Sequence, residues 1–406
     1  MSEIIMYKNV ITFILAGGKG ERLYPLTKDR AKPAVPFGAT YRIIDFSLSN
    51  AVNSGLKKIY ILTQYKSFSL QRHIREGWNI LSKELGEFIE IVPAQQRIGE
   101  DWYLGTADSV FQNIYILERE KPEYVLILSG DHVYKMDYTK MIEFHIKKKA
   151  DLTISVFEVK KEEAKRFGVL KVDSEYRVID FVEKPENPFT IPENPSISLI
   201  SMGIYVFNTE ILVKRLIEDA KKIESSHDFG KDVIPSMIKK DRVFAYKFTE
   251  ENKRETKYWR DIGTIEAYYN ANMELLEIDP ILNLYDEKWP IMTYKPQSPP
   301  AKIVFLGRNI EILNSLISDG CIITDSSIYN SIISPNVKIE KGSEIFDSII
   351  MNNVCIGENC KIKRTIIDKN VIIPDNSVIG YNIDQDRKKF FVTETGIIVI
   401  PRGSYI

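Results

Sequence analysis

The stretch "IYNSIISPNVKIEKGSEIFDSIIMNNVCIGENCKIKRTIIDKNVIIPDNSVIG", Ile328 to Gly380, repeats itself. Isoleucines stand at Ile333, Ile339 and Ile345, then Ile350, Ile356 and Ile362, then Ile367, Ile373 and Ile379, in steps of 6, 6 and 5 residues that make a unit of 17. Leu316, Ile322 and Ile328 extend the series upstream. Three near-hexapeptide faces per unit, each sending one aliphatic side chain inward, are the pattern of a parallel β-helix with coils about 4.8 Å apart. An antiparallel barrel of short strands would not hold that period over four turns. On this register Cys321 and Cys355 each precede an inward residue and lie two coils, roughly 10 Å, apart. That is too far for a disulfide, and both are expected to pack.

Working back along the chain, "DPILNLYDEKWPIMTYKPQSPPAK", Asp279 to Lys302, has five prolines and little periodicity, and is expected as a linker between residues 1–278 and 303–406. Before it two textures alternate. "VITFIL" (Val10 to Leu15), "KIYILT" (Lys58 to Thr63), "YVLILS" (Tyr124 to Ser129), "DLTISVFEV" (Asp151 to Val159) and "MGIYVF" (Met202 to Phe207) read as strands buried on both faces. Helix-like stretches such as "DSVFQNIYILERE", Asp108 to Glu120, lie between them. The alternation predicts an α/β domain with a mostly parallel sheet, its ligands outside the carboxyl ends of the strands.

Composition narrows the function. Lys and Arg number 55 against 56 Asp and Glu, so the basic excess of a nucleic-acid or membrane-surface binder is missing and any positive site must be local. No run of eighteen apolar residues occurs, and "MSEIIMYKNV" has no apolar h-region behind a basic n-region, which predicts a cytoplasmic protein. The three cysteines fit no zinc spacing and the four histidines are scattered.

Local positive charge sits in "FILAGGKGERLYPLTKDRAKPAVPFG", Phe13 to Gly38, where a buried strand breaks into glycines and Arg22, Lys28, Arg30 and Lys32 follow. It is no P-loop, since Lys19 is followed by Gly20, and no dinucleotide fingerprint, since Leu23 stands at the last glycine position. What remains is a glycine turn at a strand end, whose amides can approach oxyanions, backed by Arg22 and Lys32. Two carboxylates complement it. "LILSGDHVY" puts Asp131 just past an apolar strand, and "YWRDIGT" puts Asp261 in another turn. Either alone reads as a turn or cap residue; together, near a phosphate loop, they are suited to share one magnesium ion. "FVEKPENP" places Glu183 and Lys184 at a strand end, as a surface ion pair or as a sugar-hydroxyl and phosphate pair.

The motifs "LAGGKGERLYPLTKDRAKPAVPFG", "YRIIDFSLSNAVNSG", "PAQQRIGEDWYLGTADSV", "SGDHVYKMDY", "FVEKP", "SSHDFGKDVIP" and "YWRDIGT", in that order, resemble the bacterial glucose-1-phosphate adenylyltransferases. The likeness spans nearly the whole chain. GGxGxRL and EKP are common to sugar nucleotidyltransferases, whereas "AKPAVPFG", "WYLGTADS", "SSHDFGKD" and "YWRDIGT" are narrower. The resemblance implies a Rossmann-like nucleotidyltransferase domain followed by a left-handed parallel β-helix. It implies that ATP and glucose 1-phosphate give ADP-glucose, for α-glucan synthesis, and diphosphate, with Mg2+ held by Asp131 and Asp261 and with Arg22, Lys32 and Asp131 catalytic. Leu15, Ala16, Gly17, Gly18, Gln95, Gln96, Gly105 and Thr106 would face the nucleotide, and Tyr103, Gly168, Glu183, Lys184 and Ser201 glucose 1-phosphate. A homotetramer responding to anionic allosteric effectors is the family expectation, with Arg30, Arg42, Arg119 and Arg364 as candidate regulatory cations.

Hexapeptide repeats also make acyltransferases, but those usually need a histidine on the coils, and every histidine here precedes residue 228. Nucleotide-binding subunits without catalysis occur in the family and commonly lose the metal aspartate or the phosphate-binding cations; Arg22, Lys32, Asp131, Lys184 and Asp261 are all present, which favours a catalytic subunit, with a sugar-1-phosphate nucleotidyltransferase of another nucleotide as the alternative. One departure is Asp29, two places before "AKP", where the enteric pattern has a basic activator-site residue. A carboxylate there opposes a sugar bisphosphate and leaves the effector open.

Overall fold

The computed structural model describes residues 9–97, 101–191, 194–248, 257–307, 310–404 and 406. Nine strands form one sheet: β1 (Val10–Ala16), β2 (Lys58–Thr63), β3 (Phe88–Pro93), β4 (Tyr124–Ser129), β5 (Leu152–Lys160), β6 (Gly168–Val172), β7 (Val178–Glu183), β8 (Ile197–Asn208) and β9 (Val243–Lys247). Their order is β7-β6-β8-β4-β1-β2-β3, with β5 paired to β8 and β9. The run β4-β1-β2-β3 is parallel throughout. β8 runs antiparallel to β4 and β5. β1 is apolar apart from the buried Thr12 because it is covered on both sides: Val10, Ile14 and Ala16 enter one core, Ile11 and Phe13 the other. The carboxyl ends of β1 and β4 therefore emerge side by side, and the Gly130 amide donates to the Leu15 carbonyl at 3.0 Å.

The stretch read as one helix from Asp108 to Glu120 is two, Thr106–Phe111 and Ile114–Glu120. The Asn113 side-chain amide donates to the Ser109 carbonyl at 2.8 Å, while its backbone N–H turns to Val110 at 3.0 Å. A side chain that takes the i−4 carbonyl competes with the helical ladder and breaks it.

Beyond residue 302 the chain winds into three parallel sheets, the left-handed parallel β-helix. Ile328, Ile345, Ile362 and Ile379 stack on one face, Ile333, Ile350 and Ile367 on the second, and Ile339, Ile356 and Ile373 on the third. The expected register fails in the first coil. There Ile317 and Ile323, not Leu316 and Ile322, align with Ile333 and Ile339. The step from Ile323 to Ile328 is one residue shorter than that from Ile339 to Ile345, so extrapolating the 17-residue unit upstream slips by one. Ile322 is exposed as a result, and Leu316 packs toward the first domain. Cys321 and Cys360 are buried and free. Cys355 does not pack inward as expected: it is exposed, in an outward column with Lys338 and Ile372.

Residues 279–301 contain no helix or strand, yet they lie strapped along the first domain. Trp289 Nε1 donates to Asn50 Oδ1 at 2.9 Å, Met292 N to Ser49 Oγ at 2.8 Å, and Thr293 Oγ1 to Asp45 Oδ2 at 2.6 Å, all onto the helix Ile44–Asn53. The two domains share a core in which Ile332, Ile349, Ile366 and Val399 meet Leu23, Val35, Phe37 and Tyr268.

Arg30 crosses this interface to Asp368, its Nη2 donating to both carboxylate oxygens, at 2.6 Å to Oδ1. Both side chains are nearly inaccessible. Removing one partner strands a buried charge, at a cost of about 3–5 kcal/mol. Asp368→Ala is therefore expected to lower the urea midpoint strongly, and Arg30→Met with Asp368→Leu to recover most of the loss. A single variant as stable as wild type would show that the pair does not hold the domains together.

Candidate active site

The carboxyl ends of β1 and β4 open into a cleft of about 730 Å³. Leu15, Ala16, Gly17 and Gly18 form one lip, and the turn continues to Gly20 in the left-handed region, φ +65. A Cβ on Gly20 would come within 3.1 Å of Lys32 Cβ and of Thr27 Cγ2, so only glycine lets the turn fold back on Lys32.

Lys32 Nζ donates to Asp131 Oδ2 at 2.8 Å and to Asp261 Oδ1 at 2.9 Å, and Arg22 Nη2 lies 3.8 Å from Asp261 Oδ2. Asp261 ends the short strand Trp259–Asp261, which pairs antiparallel with His132–Tyr134 and so stands opposite His132, beside Asp131. Burial opposes the Lys32 charge, but Asp131 and then Asp261 outweigh it and raise its pKa, keeping an ammonium. Burial likewise pushes the Asp131 carboxyl up; the attraction of Lys32, with hydrogen bonds from Lys32 and Ser129, overcomes it and holds Asp131 below the usual carboxylate range.

The donor set fits a hard cation. Ligand atoms of Asp131, His132 and Asp261 lie within 4.8 Å of one another, and the two carboxylates supply the oxygen ligands that such an ion prefers. The ammonium of Lys32, bonded to both carboxylates, already marks where a positive charge is stabilised.

Opposite the glycine turn, Tyr103, Gly105 and Thr106 line the same cleft. Thr106 Oγ1 donates to Asp228 Oδ2 at 2.9 Å and accepts from Phe229 N at 3.0 Å. Asp228 also lines the cleft and caps the turn Phe229–Val233 through Gly230 N and Lys231 N. Glu183 lies beyond it: a Cβ on Gly230 would fall 2.9 Å from Glu183 Oε2, and one on Gly168 would fall 2.8 Å from the same oxygen and 2.4 Å from Phe181 Cζ. Gly168 is thus required by space, as the chain pairs Gly168 directly with Glu183. Lys184 Nζ is 3.3 Å from Glu183 Oε1. Ser201 Oγ, in a bulge of β8, accepts from Gly203 N at 3.2 Å and meets Tyr205 OH at 3.3 Å. Gln95 and Gln96 are exposed and do not line the cleft.

Two domain families match the chain: the nucleotidyl transferase model over residues 11–278, and a GlmU-like C-terminal hexapeptide model over 299–400. A glucose-1-phosphate adenylyltransferase 2 of Vibrio vulnificus is 54% identical over 98% of this chain and 99% of its own. Proteins named glucose-1-phosphate adenylyltransferase from Rhodopirellula baltica and Methylococcus capsulatus are each 51% identical, over 99% and 97% of this chain and 92% and 93% of theirs. The chain belongs to the glucose-1-phosphate adenylyltransferase family. No helix among the described residues is long and apolar enough to cross a membrane.

A second cavity, about 1150 Å³, lies between the first domain and the β-helix. Arg42, Arg72, Lys369 and Arg402 line it together with Tyr41 and Asn370. Burial lowers the Arg42 pKa to about 10. The Lys369 pKa falls well below the ordinary value, through burial and then through the nearby charges of Arg42 and Arg30. Arg42 is the one candidate regulatory cation of the sequence that lines this cavity. Arg30 is committed to Asp368, Arg364 lies over the Tyr269 ring at 5.6 Å, and Arg119 is held by Tyr60 OH at 2.6 Å and Glu120 at 3.1 Å. Asp29 is exposed and outside the lining.

Sequence reasoning missed Gln64, Ser109 and Asp228 in the cleft, and Lys369 and Arg402 in the second cavity. Asp228 had a signal, an acidic cap before a helical turn inside "SSHDFGKD". Lys369 and Arg402 had none, because they lie on coils that only the fold brings to Arg42.

Proposed function

We propose that the protein transfers the adenylyl group of ATP to glucose 1-phosphate, releasing diphosphate and forming ADP-glucose, an activated donor for α-glucan synthesis. The observation that carries this reading is the convergence of Asp131, Asp261 and Lys32 at the foot of the glycine turn. Glucose 1-phosphate is largely dianionic at pH 7, since a phosphate monoester loses its second proton near pH ~6, so no general base is required. The task left to the protein is alignment and charge neutralisation. The backbone of Leu15 to Gly18 receives the nucleotide, Arg22 and Lys32 neutralise the triphosphate, and Glu183 and Lys184 hold the sugar hydroxyls and phosphate. Asp131 and Asp261 would hold Mg2+, which supplies further charge neutralisation at the α-phosphate. The test is diphosphate release from each nucleoside triphosphate with glucose 1-phosphate. ATP should be used far faster than UTP, GTP or CTP, and equal use of another nucleotide would reassign the substrate. The reading includes a cytoplasmic homotetramer, to be checked by light scattering.

The second cavity supports anionic allosteric effectors. Arg42, Arg72, Lys295, Lys369 and Arg402 outnumber Glu76 and Asp319 around this space, and a bound phosphate group would offset the excess positive charge. Lys369→Gln or Arg402→Gln is expected to shift the activation curve for fructose 1,6-bisphosphate about tenfold toward higher concentration, the size of one lost charge-assisted bond, while unactivated kcat stays unchanged. Because the Lys369 pKa is lowered, its charge is lost at a lower pH than for an ordinary lysine. Effector affinity should therefore fall as pH rises, earlier in wild type than in Lys369→Gln. Unshifted curves in both variants would remove the cavity from regulation. Asp29→Lys, acting from outside the lining, should give only a small shift that fades with salt.

A further inference from the structure

His227 does not line the cleft, yet its backbone N–H, its carbonyl and its Nδ1 are all held beside it. Its backbone is in the left-handed region, φ +54, a conformation unfavourable for a residue with a bulky side chain. The Nδ1 donates to Asp219 Oδ2 at 2.9 Å, and the backbone N–H donates to Ser225 Oγ at 3.0 Å. Asp219 is buried near the end of the helix Thr209–Ala220, which packs on the sheet through Leu212 and Leu216, and its other oxygen accepts from Ser225 Oγ at 2.9 Å. The anchor therefore belongs to the rigid part of the domain.

The carbonyl is aimed the other way. It accepts from Ala107 N at 2.9 Å and Asp108 N at 3.2 Å, at the start of the helix Thr106–Phe111, which has no side-chain cap of its own. Gly105 lies so close that a Cβ there would stand 2.3 Å from the same oxygen and 2.5 Å from the Ser226 carbonyl. Gly105 and Thr106, wall residues of the cleft, are thus set by where the His227 carbonyl points, and that direction is set by the left-handed backbone that the Asp219 bond holds in place.

We propose that His227, tethered by Asp219, is a positioning residue that fixes the Gly105–Thr106 wall and so governs affinity for ATP more than the rate of transfer. The inference rests on the adenylyl-transfer reading, in which that wall faces the nucleotide. A histidine here has an evident rationale: a glycine or asparagine would accept φ +54 more readily but would not reach Asp219 with the same bond.

The experiment compares wild type with His227→Gly, His227→Asn, Asp219→Ala and Asp219→Asn, measuring KM for each substrate, kcat and thermal unfolding. His227→Gly and His227→Asn relieve the backbone, so a purely local structural role would leave them as active as wild type or more stable. The expected result is a KM for ATP raised roughly tenfold in both and in Asp219→Ala, with kcat and the KM for glucose 1-phosphate changed less than about threefold. Asp219→Asn, which keeps an acceptor for Nδ1, should restore the KM for ATP to within about twofold of wild type. A KM for ATP unchanged in folded His227→Gly, or raised as much in Asp219→Asn as in Asp219→Ala, overturns the proposal. Variants that fail only by losing stability, with wild-type KM in the folded fraction, overturn it as well. Failure of the underlying reading would look different: wild type itself would release no diphosphate from ATP and glucose 1-phosphate.

Discussion

Asp131→Asn and Asp261→Asn should each lower kcat by at least about a thousandfold while the protein stays folded. Both carboxylates are spent on the same point, the Lys32 ammonium. An asparagine keeps an oxygen that accepts from Lys32 and keeps the side-chain volume, so the hydrogen bonds that order the site largely survive. What it loses is a full charge, and with it the anchoring of a divalent ion against the competing charge of a lysine. The measurements are diphosphate release at saturating substrates, titration of Mn2+ binding by its paramagnetic relaxation of water, and thermal unfolding. Turnover near wild type in either variant, with metal affinity intact, would show that the ion is held elsewhere.

Lys184→Ala should raise the KM for glucose 1-phosphate about 10- to 100-fold and change that for ATP little, the size expected for one charge-assisted hydrogen bond to phosphate. Lys184 sits at φ +50 immediately after β7, its backbone N–H donating to Phe167 O at 3.0 Å, so the backbone fixes where its side chain leaves the strand end. The ammonium lies 3.3 Å from Glu183 and is otherwise well exposed, free to receive a phosphate without breaking a buried pair. Because the phosphate keeps its charge in ground and transition states alike, kcat should fall much less than kcat/KM. A shift confined to the KM for ATP would assign Lys184 to the nucleotide instead of the sugar phosphate.

What could be read in the sequence was what neighbouring residues impose on one another. The period of 17 from Ile328 to Ile379 dictates stacked coils, since each inward isoleucine meets its counterpart one coil away. Continuous apolar strands announced a sheet covered on both faces, and the glycine turn after β1 lines the cleft at the strand ends. The same local logic failed where a single residue was lost from a corner, before Ile328, and where a side-chain amide at Asn113 interrupted a helix. It also left residues 279–302 as a linker, although Trp289, Met292 and Thr293 bind them to one helix face.

Only the tertiary structure decided which charges meet. Lys32 is 99 residues from Asp131 and 229 from Asp261, and Arg30 is 338 from Asp368. Nothing in sequence spacing distinguishes the lysine that enters the cleft from the arginine two residues away that turns into the domain interface. The distinction comes from the order in which β1 and β4 lie in the sheet, from the ribbon that sets Asp261 against His132, and from the coil that puts Asp368 against the first domain. A hydrophobic period is set by the few residues within one turn or coil, whereas the partner of a charge is set by where distant segments cross, and a buried charge accepts only the partner that the crossing delivers.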